Sequence, residues 1–380
     1  MIYLDNSSTT LKKPLSVYSA VNRAMKNAGG YGRSGHKPAI YAGEIAYNCR
    51  ENAQKLFSLQ SPEQVIFTLN ATHALNQAIY ALTPFYKKIA ISGYEHNSVV
   101  RPLYYRNLDY HVIKSKLFDQ DDMLNGVKNA LNIGCDLFII NHVSNVFGQI
   151  VPLKQIDDLL YNAGASMILD ASQSAGSIKI DAGSLKSVKA ICTAGHKGLL
   201  GAMGTGLLLV CTDMPFKPLM QGGTGSLSND FAQPEIMPDR LESGTPNIVG
   251  IAGLSEGIKT VLRLGEDKIL KHEQKLMRKT ADELKKLQDI EVFVSSEKQN
   301  QSGVLSFRHK DISCEKIAES LADNDICVRA GLHCASLAHS SANTLETGTV
   351  RVSFGIYNTN KDIKEFMFQM QKIIACNDKI

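Results

Sequence analysis

Residues 190–206 run Ala190-Ile-Cys-Thr-Ala-Gly-His-Lys-Gly-Leu-Leu-Gly-Ala-Met-Gly-Thr-Gly206, and the apolar run 207–210 follows. This pattern predicts a strand, a glycine-rich loop and a second strand, with Lys197 presented where the first strand ends. Upstream, residues 166–170 form another apolar strand that ends in the carboxylate of Asp170. A lysine for a Schiff base and an aspartate for a pyridinium nitrogen are what a pyridoxal phosphate site requires. Taken singly, a solvated loop lysine and a capping aspartate are the ordinary alternatives.

Helical and extended patterns alternate over the first two-thirds of the chain. The predicted strands are 65–68, 88–92, 111–114, 136–141, 166–169, 190–193 and 206–210. The predicted helices among them are 14–26, 43–58, 71–82 and 153–162. Short, almost wholly apolar strands that alternate with helices indicate an α/β fold. We therefore expect a seven-stranded, mainly parallel sheet with helices on both faces.

The pattern changes after residue 225. Residues 248–288 are typical of long charged helices that tie two domains together. A small α+β domain is then predicted from the segments 292–294, 303–307, 313–322, 326–329, 349–353 and 360–375. We expect a large domain at 14–250, and a small domain that comprises 1–13 and 251–380.

Polar side chains follow several of the predicted strands. Ligands of parallel sheets bind beyond the carboxyl ends of the strands. At that edge the sequence places Thr72, His96, Asn145, Asp170 and Lys197. We therefore predict one site there. Taken locally, an ordinary helix cap at 70–72 and a capping histidine at 96 are the alternatives.

The composition limits the partners of the protein. Its 380 residues include 41 basic and 37 acidic side chains spread along the chain, and no basic block stands out. We therefore expect no nucleic-acid partner. The first residues lack the pattern of a signal peptide, and no apolar run is long enough to span a bilayer, so we expect a cytoplasmic protein with no membrane partner. The 8 cysteines have no regular spacing, which favours a reduced protein over a disulfide scaffold.

One cysteine differs from the others in its surroundings. Cys334 lies in the loop Arg329-Ala-Gly-Leu-His-Cys-Ala335, which can offer the exposure and positive neighbourhood that a thiolate needs. Arg351, in a predicted strand shortly after it, carries the planar fork that suits a carboxylate. The alternative of a metal site built from Cys327, His333, Cys334 and His339 matches no familiar zinc spacing, so we expect no metal.

These residues resemble those of the cysteine desulfurases, in the class V group of fold-type I pyridoxal phosphate enzymes. The likeness extends almost end to end and is greatest to the SufS-like enzymes and selenocysteine lyases. Its most specific segments are Leu332-His-Cys-Ala335, Leu345-Glu-Thr-Gly-Thr-Val-Arg351 and Gly195-His-Lys-Gly-Leu-Leu-Gly201. The resemblance implies pyridoxal 5'-phosphate as cofactor, L-cysteine or L-selenocysteine as substrate, and a homodimer. It also implies a sulfur-acceptor protein, as in iron–sulfur cluster assembly.

The resemblance further implies roles for individual residues. Lys197 is expected to bind the cofactor covalently, with Asp170 on the ring nitrogen, and Cys334 to accept sulfur as a persulfide. His96 is expected to stack on the ring and shuttle protons. Further cofactor contacts are implied for Ala71, Thr72, Asn145, Gln173, His196 and, across the dimer, Thr245. The substrate carboxylate is expected to be held by Arg351, with Asn6 and Arg329 nearby.

One departure from the family concerns the phosphate site. The family usually has Ser or Thr immediately before Gly-His-Lys, and that hydroxyl binds phosphate, whereas this chain has Ala194. Thr193 lies one residue earlier and, in a strand, points to the other face. The sequence thus predicts either weaker phosphate binding or another group that compensates.

Three alternatives to a desulfurase are open from the sequence. A selenocysteine lyase would release selenide without a thiol acceptor. A class V aminotransferase on small amino acids would form a keto acid and would not need Cys334. A non-catalytic persulfide carrier would keep the fold without turnover, and Ala194 is the single residue that hints at it.

Overall fold

The computed structural model of the protein describes residues 1–32, 34–227 and 229–377. Its strands are β1 (Ile2–Tyr3), β2 (Val65–Thr68), β3 (Ile89–Ser92), β4 (Tyr110–Ile113), β5 (Leu137–Asn141), β6 (Ser166–Asp170), β7 (Val188–Ala194), β8 (Gly206–Val210), β9 (Ile290–Phe293), β10 (Val304–His309), β11 (Ile326–Cys327), β12 (Arg329–Gly331) and β13 (Thr349–Ser353). Its helices are α1 (Leu15–Asn27), α2 (Lys37–Phe57), α3 (Ala71–Leu82), α4 (Asn97–Tyr105), α5 (Gln120–Asn132), α6 (Leu153–Asn162), α7 (Ile248–Leu264), α8 (Glu266–Leu284), α9 (Cys314–Ala322), α10 (Ser336–Ser341) and α11 (Asn360–Asn377).

The largest sheet has seven strands in the order β2-β8-β7-β6-β5-β3-β4. Its strands β7, β6, β5, β3 and β4 run parallel to one another. The predicted seven-stranded, mainly parallel α/β fold is confirmed. Only β8 runs antiparallel to both of its neighbours. The loop between β7 and β8 is too short for a crossover helix, so the chain turns back and pairs with the strand it has just left.

Residues of one strand pack on opposite faces of this sheet. In β5, Phe138 and Ile140 belong to one buried core, and Leu137 and Ile139 belong to another. The first core lies under α1, α2, α5, α6 and α7, and the second lies under α3 and α4. Both faces are therefore covered, which explains why the strands are almost wholly apolar.

Most predicted helices appear within a residue or two of their expected bounds, but α2 begins six residues early, at Lys37 rather than 43. The His36 side chain accepts a hydrogen bond from the Ala39 amide at 3.3 Å, and Pro38 lies in the first turn. A cap and a proline at this position stabilise the start of a helix. Histidine is not a usual cap residue, which is why the sequence pattern missed this turn.

The C-terminal part of the chain forms a second unit with its own core. Strands β12, β13, β10 and β9 form an antiparallel sheet, and α8, α9 and α11 pack on it. Leu4 also lies in this core, because β1 pairs with β11. Helix α8 contributes to both cores: Ile269 belongs to the core of the large sheet, and Leu276 belongs to the core of the second unit. The predicted division into 14–250 and 1–13 with 251–380 stays a prediction.

A buried ion pair fixes the segment that leads into α7. Arg50 Nη2 and Glu242 Oε2 are 2.7 Å apart, and these side chains are only 5% and 10% exposed. Glu242 Oε1 also accepts a hydrogen bond from the Phe67 amide at 2.6 Å. The carboxylate therefore ties the start of segment 242–247 to β2 and α2.

Glu242→Gln should destabilise the protein by about 3 to 5 kcal/mol, because it leaves the Arg50 guanidinium buried without a counter-charge. Equilibrium denaturation by urea measures the free energy of unfolding. The matched control is Glu283→Gln. Glu283 forms an ion pair with Lys286, and these side chains are 40% and 67% exposed. That change should cost no more than about 1 kcal/mol. Equal effects of the two substitutions would contradict the structural role of Glu242.

Candidate active site

The carboxyl ends of β5, β6 and β7 meet at one edge of the large sheet. Asn141, Asp170 and Cys192 are register neighbours at that edge. Beyond it lies a cavity of about 210 Å³. Ten of the predicted site residues line this cavity, namely Ala71, Thr72, His96, Asn145, Asp170, Gln173, His196, Lys197, Arg329 and Arg351. The structure thus brings together residues that lie as far as 280 positions apart (71 to 351).

Three predicted site residues lie outside the cavity lining. Cys334 is exposed at its edge, next to the lining residue His333. Asn6 lines a smaller neighbouring pocket, and its side-chain amide donates to the Ser353 carbonyl at 2.8 Å. Thr245 is exposed and lines a different pocket of the same chain. A cofactor contact by Thr245 in its own subunit is therefore not supported, and its predicted contact across a dimer stays a prediction.

Two glycines bring the loop of Lys197 against the loop that follows Asp170. Gly176 has a φ of +91°, and a Cβ atom at this position would overlap the carbonyl group of Gly198. A Cβ atom at Gly198 would likewise overlap the Ala175 carbonyl oxygen. A side chain at either position would force the two loops apart, so glycine at both positions permits this close approach.

The amine of Lys197 lies in an environment that disfavours its charge. The pKa of Lys197 is lowered to about 8, mainly by burial; Asp170 opposes this effect, and the nearby Arg351 and Arg329 cations add to it. A lowered pKa makes the neutral amine available near physiological pH, and the neutral amine is the nucleophile that attacks a carbonyl carbon. Lys197 is therefore suited to covalent binding of an aldehyde.

His96 both caps a helix and lines the cavity. Its Nδ1 accepts a hydrogen bond from the Ser98 amide at 3.0 Å, so the ordinary role of a helix cap is real. Burial, and then the Lys197 cation, lower the pKa of His96 to about 4. The imidazole is therefore neutral at pH 7. Because Nδ1 is used by the backbone, Nε2 is the nitrogen through which His96 can exchange a proton with a ligand.

Ser98 is a cavity residue that sequence reasoning missed. Its hydroxyl lies 2.7 Å from Thr72 Oγ1 and 2.8 Å from His96 Nδ1. Ser98 lines the same cavity as Ala194. The sequence could have indicated this residue, because a serine two positions after the helix cap His96 can reach the side chain of that cap. The cavity thus contains a hydroxyl on α4 although position 194 lacks one.

Arg351 is held by the N-terminal segment. It is only 1% exposed, and its Nη2 donates to Asp5 Oδ1 at 2.6 Å and to Ser8 Oγ at 2.8 Å. Its Nη1 donates to the Asn145 carbonyl at 2.8 Å. Sequence reasoning missed Asp5 and Ser8, because they come from the opposite end of the chain. Their contacts aim the guanidinium and offset the cost of burying its charge.

Three buried polar atoms of the cavity residues have no hydrogen-bond partner within the described parts of the chain. They are Asn145 Oδ1, His196 Nδ1 and Arg351 Nε. An unpaired buried polar atom costs about 1 to 3 kcal/mol. Three such atoms around one cavity indicate a site built for a polar ligand.

Cys334 is linked to the cavity through Arg329. Arg329 Nη2 lies 3.5 Å from the Cys334 sulfur, and Nη1 donates to Ser8 Oγ at 3.2 Å. The sulfur is thus exposed beside a guanidinium that also lines the cavity.

The described residues contain neither of two features that would change this interpretation. In residues 1–32, 34–227 and 229–377, no group of three or more His, Cys, Asp and Glu side chains is arranged to hold a metal ion. Across the same ranges, no helix combines the length and apolar character needed to cross a bilayer.

Comparison with known proteins assigns the class. The family model for aminotransferase class-V matches residues 2–366, so the chain belongs to the class-V aminotransferase family. A probable cysteine desulfurase of Methanothermobacter thermautotrophicus is 32% identical over 379 residues, which cover 96% of this chain and 92% of the relative. A probable cysteine desulfurase of Pyrococcus abyssi is 29% identical, and the match covers 98% of this chain and 94% of the relative.

Solved structures agree with this assignment. The apo structure of the cysteine desulfurase from Thermococcus onnurineus superposes with a TM-score of 0.89 at 28% identity, covering 98% of this chain and 94% of that chain. The resemblance to the cysteine desulfurases inferred from the sequence is thereby confirmed.

The reaction of Lys197 with pyridoxal phosphate should depend on pH with a midpoint near 8. Below that pH the amine is protonated and the rate should fall about tenfold per pH unit, since only the neutral amine reacts. Trapping with cyanoborohydride, followed by peptide mass spectrometry, measures the rate at this one lysine. Lys197→Ala is the control that removes the signal. A midpoint near 10, as for free lysine, would contradict the effect of burial.

Proposed function

We propose that the protein is a pyridoxal phosphate-dependent cysteine desulfurase that converts L-cysteine to L-alanine and transfers the sulfur to Cys334 as a persulfide. The observation that carries the proposal is the position of two nucleophiles around one cavity. The buried amine of Lys197 lines it, and the exposed sulfur of Cys334 lies beside Arg329, which lines it as well. An aminotransferase has no use for the second nucleophile.

The residues around the cavity fit the proposed cofactor. Lys197 offers the amine for its aldehyde, and Asp170 offers a carboxylate for its ring nitrogen. Asp170 Oδ1 already accepts the Ser172 amide at 2.9 Å, which orients the carboxylate. The unpartnered Nδ1 of His196 and the start of α3 at Ala71 and Thr72 suit a phosphate group. Gln173 and Asn145 each donate one amide hydrogen to a backbone carbonyl, and the second hydrogen of each amide could bind the ring oxygen of the cofactor.

Pyridoxal phosphate, when bound, draws electrons away from the Cα atom of an amino acid joined to it. The chain must then bind the amino acid and move its protons. Arg351, with the neighbouring Arg329, holds the substrate carboxylate. Lys197 removes the proton from Cα, because its lowered pKa makes it a base near neutral pH. The neutral imidazole of His96 is the second group that can exchange a proton there.

Cys334 completes the reaction as the sulfur acceptor. Its thiolate attacks the sulfur of the substrate, and a new S–S bond forms as the C–S bond of the substrate breaks. The electron pair of the broken bond stays on carbon, which takes a proton from the cavity, and Lys197 returns the proton to Cα, so that alanine is formed. The enzyme is left with one additional sulfur on Cys334. Arg329 supports this step by its contact with the attacking sulfur.

The partners follow from the same chemistry. A persulfide on an exposed cysteine must be passed to a second thiol, so we propose an acceptor protein that docks at Cys334. The short span from Cys334 to Arg351 includes α10 and limits the movement of the loop, which favours close docking. We also propose a homodimer, in which the exposed Thr245 reaches the phosphate of the partner subunit. A reducing compartment such as the cytoplasm would keep the thiols active.

Cys334→Ala should lower alanine formation from L-cysteine at least about 100-fold, since loss of a catalytic nucleophile commonly costs more than this. Cofactor absorbance should be unchanged, because Cys334 is not part of the cavity lining. Amino-acid analysis of the product, together with sulfide release in the presence of a reductant, measures the reaction. Cys327→Ala is the matched control at a half-buried cysteine of the same domain.

The product decides among the alternatives. Formation of a keto acid in place of alanine by the wild-type protein would reject the proposal and favour an aminotransferase. Full alanine formation by Cys334→Ala with L-selenocysteine, but none by the wild type with L-cysteine, would favour a selenocysteine lyase.

Ser98→Ala should weaken cofactor binding about fivefold, the equivalent of one neutral hydrogen bond. The Ser98 hydroxyl orients Thr72 and is the group that compensates for Ala194. Titration of the apoprotein with pyridoxal phosphate measures the dissociation constant. The double variant Ser98→Ala with Ala194→Ser should recover most of the affinity. An unchanged dissociation constant for Ser98→Ala would show that another group compensates for Ala194.

A further inference from the structure

The backbone at Cys334 adopts a conformation that needs external support. His333 and Cys334 have φ angles of +52° and +57°, so two consecutive residues with side chains lie in the left-handed region. Each such residue costs about 1 to 2 kcal/mol relative to ordinary backbone. A loop with this cost keeps its shape only where contacts with the rest of the protein hold it.

Part of that support comes from the large domain. The Asn145 side-chain amide donates to the His333 carbonyl at 2.8 Å, and the Asn97 amide donates to the Cys334 carbonyl at 2.8 Å. These contacts hold the backbone from the side of the cavity. The His333 side chain is only 3% exposed and is held by other contacts.

A second histidine lies directly behind the first. His339, on α10, is fully buried, and its ring lies nearly parallel to that of His333, with an interplanar angle of 11° and centroids 5.5 Å apart. His333 Nδ1 and His339 Nε2 are 3.3 Å apart. His339 Nδ1 lies 2.8 Å from the hydroxyl of the fully buried Thr344. Polar contacts thus connect α10 with the loop of Cys334.

The hydrogen bonds of this pair have one direction in which every ring nitrogen has a partner. His333 Nε2 contacts the Arg329 carbonyl at 3.4 Å, and a carbonyl can only accept, so Nε2 carries the proton. In a neutral ring Nδ1 is then the acceptor, and His339 Nε2 must donate to it. His339 Nδ1 is in turn left to accept from the Thr344 hydroxyl. The positions of the protons are assigned from these contacts of the two rings.

This direction requires that both rings be neutral. Burial, and then the Arg351 cation, lower the pKa of His333 well below its ordinary value. Burial lowers the pKa of His339 to about 4. Both rings are therefore neutral at pH 7, which is the state that the donor-to-acceptor chain needs. The chain ends on the carbonyl of Arg329, whose side chain contacts the Cys334 sulfur.

We propose that His339 is a positioning residue that acts through His333 to hold Cys334 and Arg329 in the geometry from which the Cys334 sulfur attacks. The inference rests on the proposed role of Cys334 as the sulfur acceptor. His339 is not one of the residues that line the cavity, and it reaches the cavity only through its contact with His333. Its contribution is one donated hydrogen bond, which fixes the ring of His333 and with it the left-handed turn.

Two substitutions at His339 separate hydrogen bonding from packing. Glutamine can place an amide donor near the position of the imidazole Nε2, whereas methionine fills a similar volume without a donor. If His339 only fills space beside Phe147, whose ring centroid is 5.8 Å away, His339→Met should be tolerated at least as well as His339→Gln. If His339 acts by donation, the order is reversed.

The test uses the holoenzyme and two measurements. His339→Met should lower kcat for alanine formation on the order of 10- to 100-fold with KM within about twofold, since a small misplacement of a reacting group has this effect. His339→Gln should stay within about threefold of wild type. The second measurement is the rate at which iodoacetamide alkylates Cys334, determined by mass spectrometry of the peptide that contains this residue. We expect the rate to fall about fivefold in His339→Met, the equivalent of one hydrogen bond, and to be unchanged in His339→Gln.

Two further variants keep the test decisive should a His339 variant fail to fold. Thr344→Val removes the hydroxyl that His339 accepts from and keeps the shape of the side chain, whereas Thr344→Ser keeps the hydroxyl. Thr344→Val should slow Cys334 alkylation, and Thr344→Ser should not.

Equal rates in the methionine and glutamine variants, or in the valine and serine variants, would overturn the inference. The alkylation measurement needs no turnover. A wild-type protein that formed no alanine would therefore refute the proposed function and would still leave the positioning of Cys334 measurable.

Discussion

The close approach of Gly176 and Gly198 is the contact on which the site depends. It allows the loop after β6 to lie directly against the loop after β7, so that Asp170 and Lys197 line the same cavity. A side chain at either position would overlap backbone atoms that cannot move without separating the two loops. Because the parallel strands place their carboxyl ends together, this one contact converts neighbouring strand ends into a site of fixed geometry.

Burial then gives the site its chemistry. The same loss of water that lowers the pKa of Lys197 also keeps His96 and His196 neutral at pH 7. Arg351 remains charged because Asp5 pairs with it, at 2.6 Å, from the N-terminal segment. A fixed cation, an amine whose pKa is lowered to about 8 and neutral imidazoles thus coexist in one cavity, which suits the binding of an amino-acid carboxylate and the transfer of protons.

The sequence predicted the parts of the site that depend on local pattern. Lys197 and Asp170 could be found because each ends an apolar strand, and the edge of a parallel sheet gathers strand ends. Ser8 and Asp5 could not be found in this way, since they reach Arg351 from a segment more than 340 residues away. The antiparallel direction of β8 was also missed, because an apolar run carries no information about which way its neighbour points.

By itself the sequence determined the alternation of apolar strands and helices, the glycines that permit the loops to touch, and the placement of Lys197 and Cys334 in loops after predicted strands. Those features depend on residue type and spacing along the chain. Only the tertiary structure decided that Ser98 lines the same cavity as Ala194, and that His339 contacts His333. A hydrogen bond between side chains is made or lost by a change of a few tenths of an ångström in the distance between its atoms. Such distances are set by the packing of whole helices and strands rather than by the order of residues along the chain.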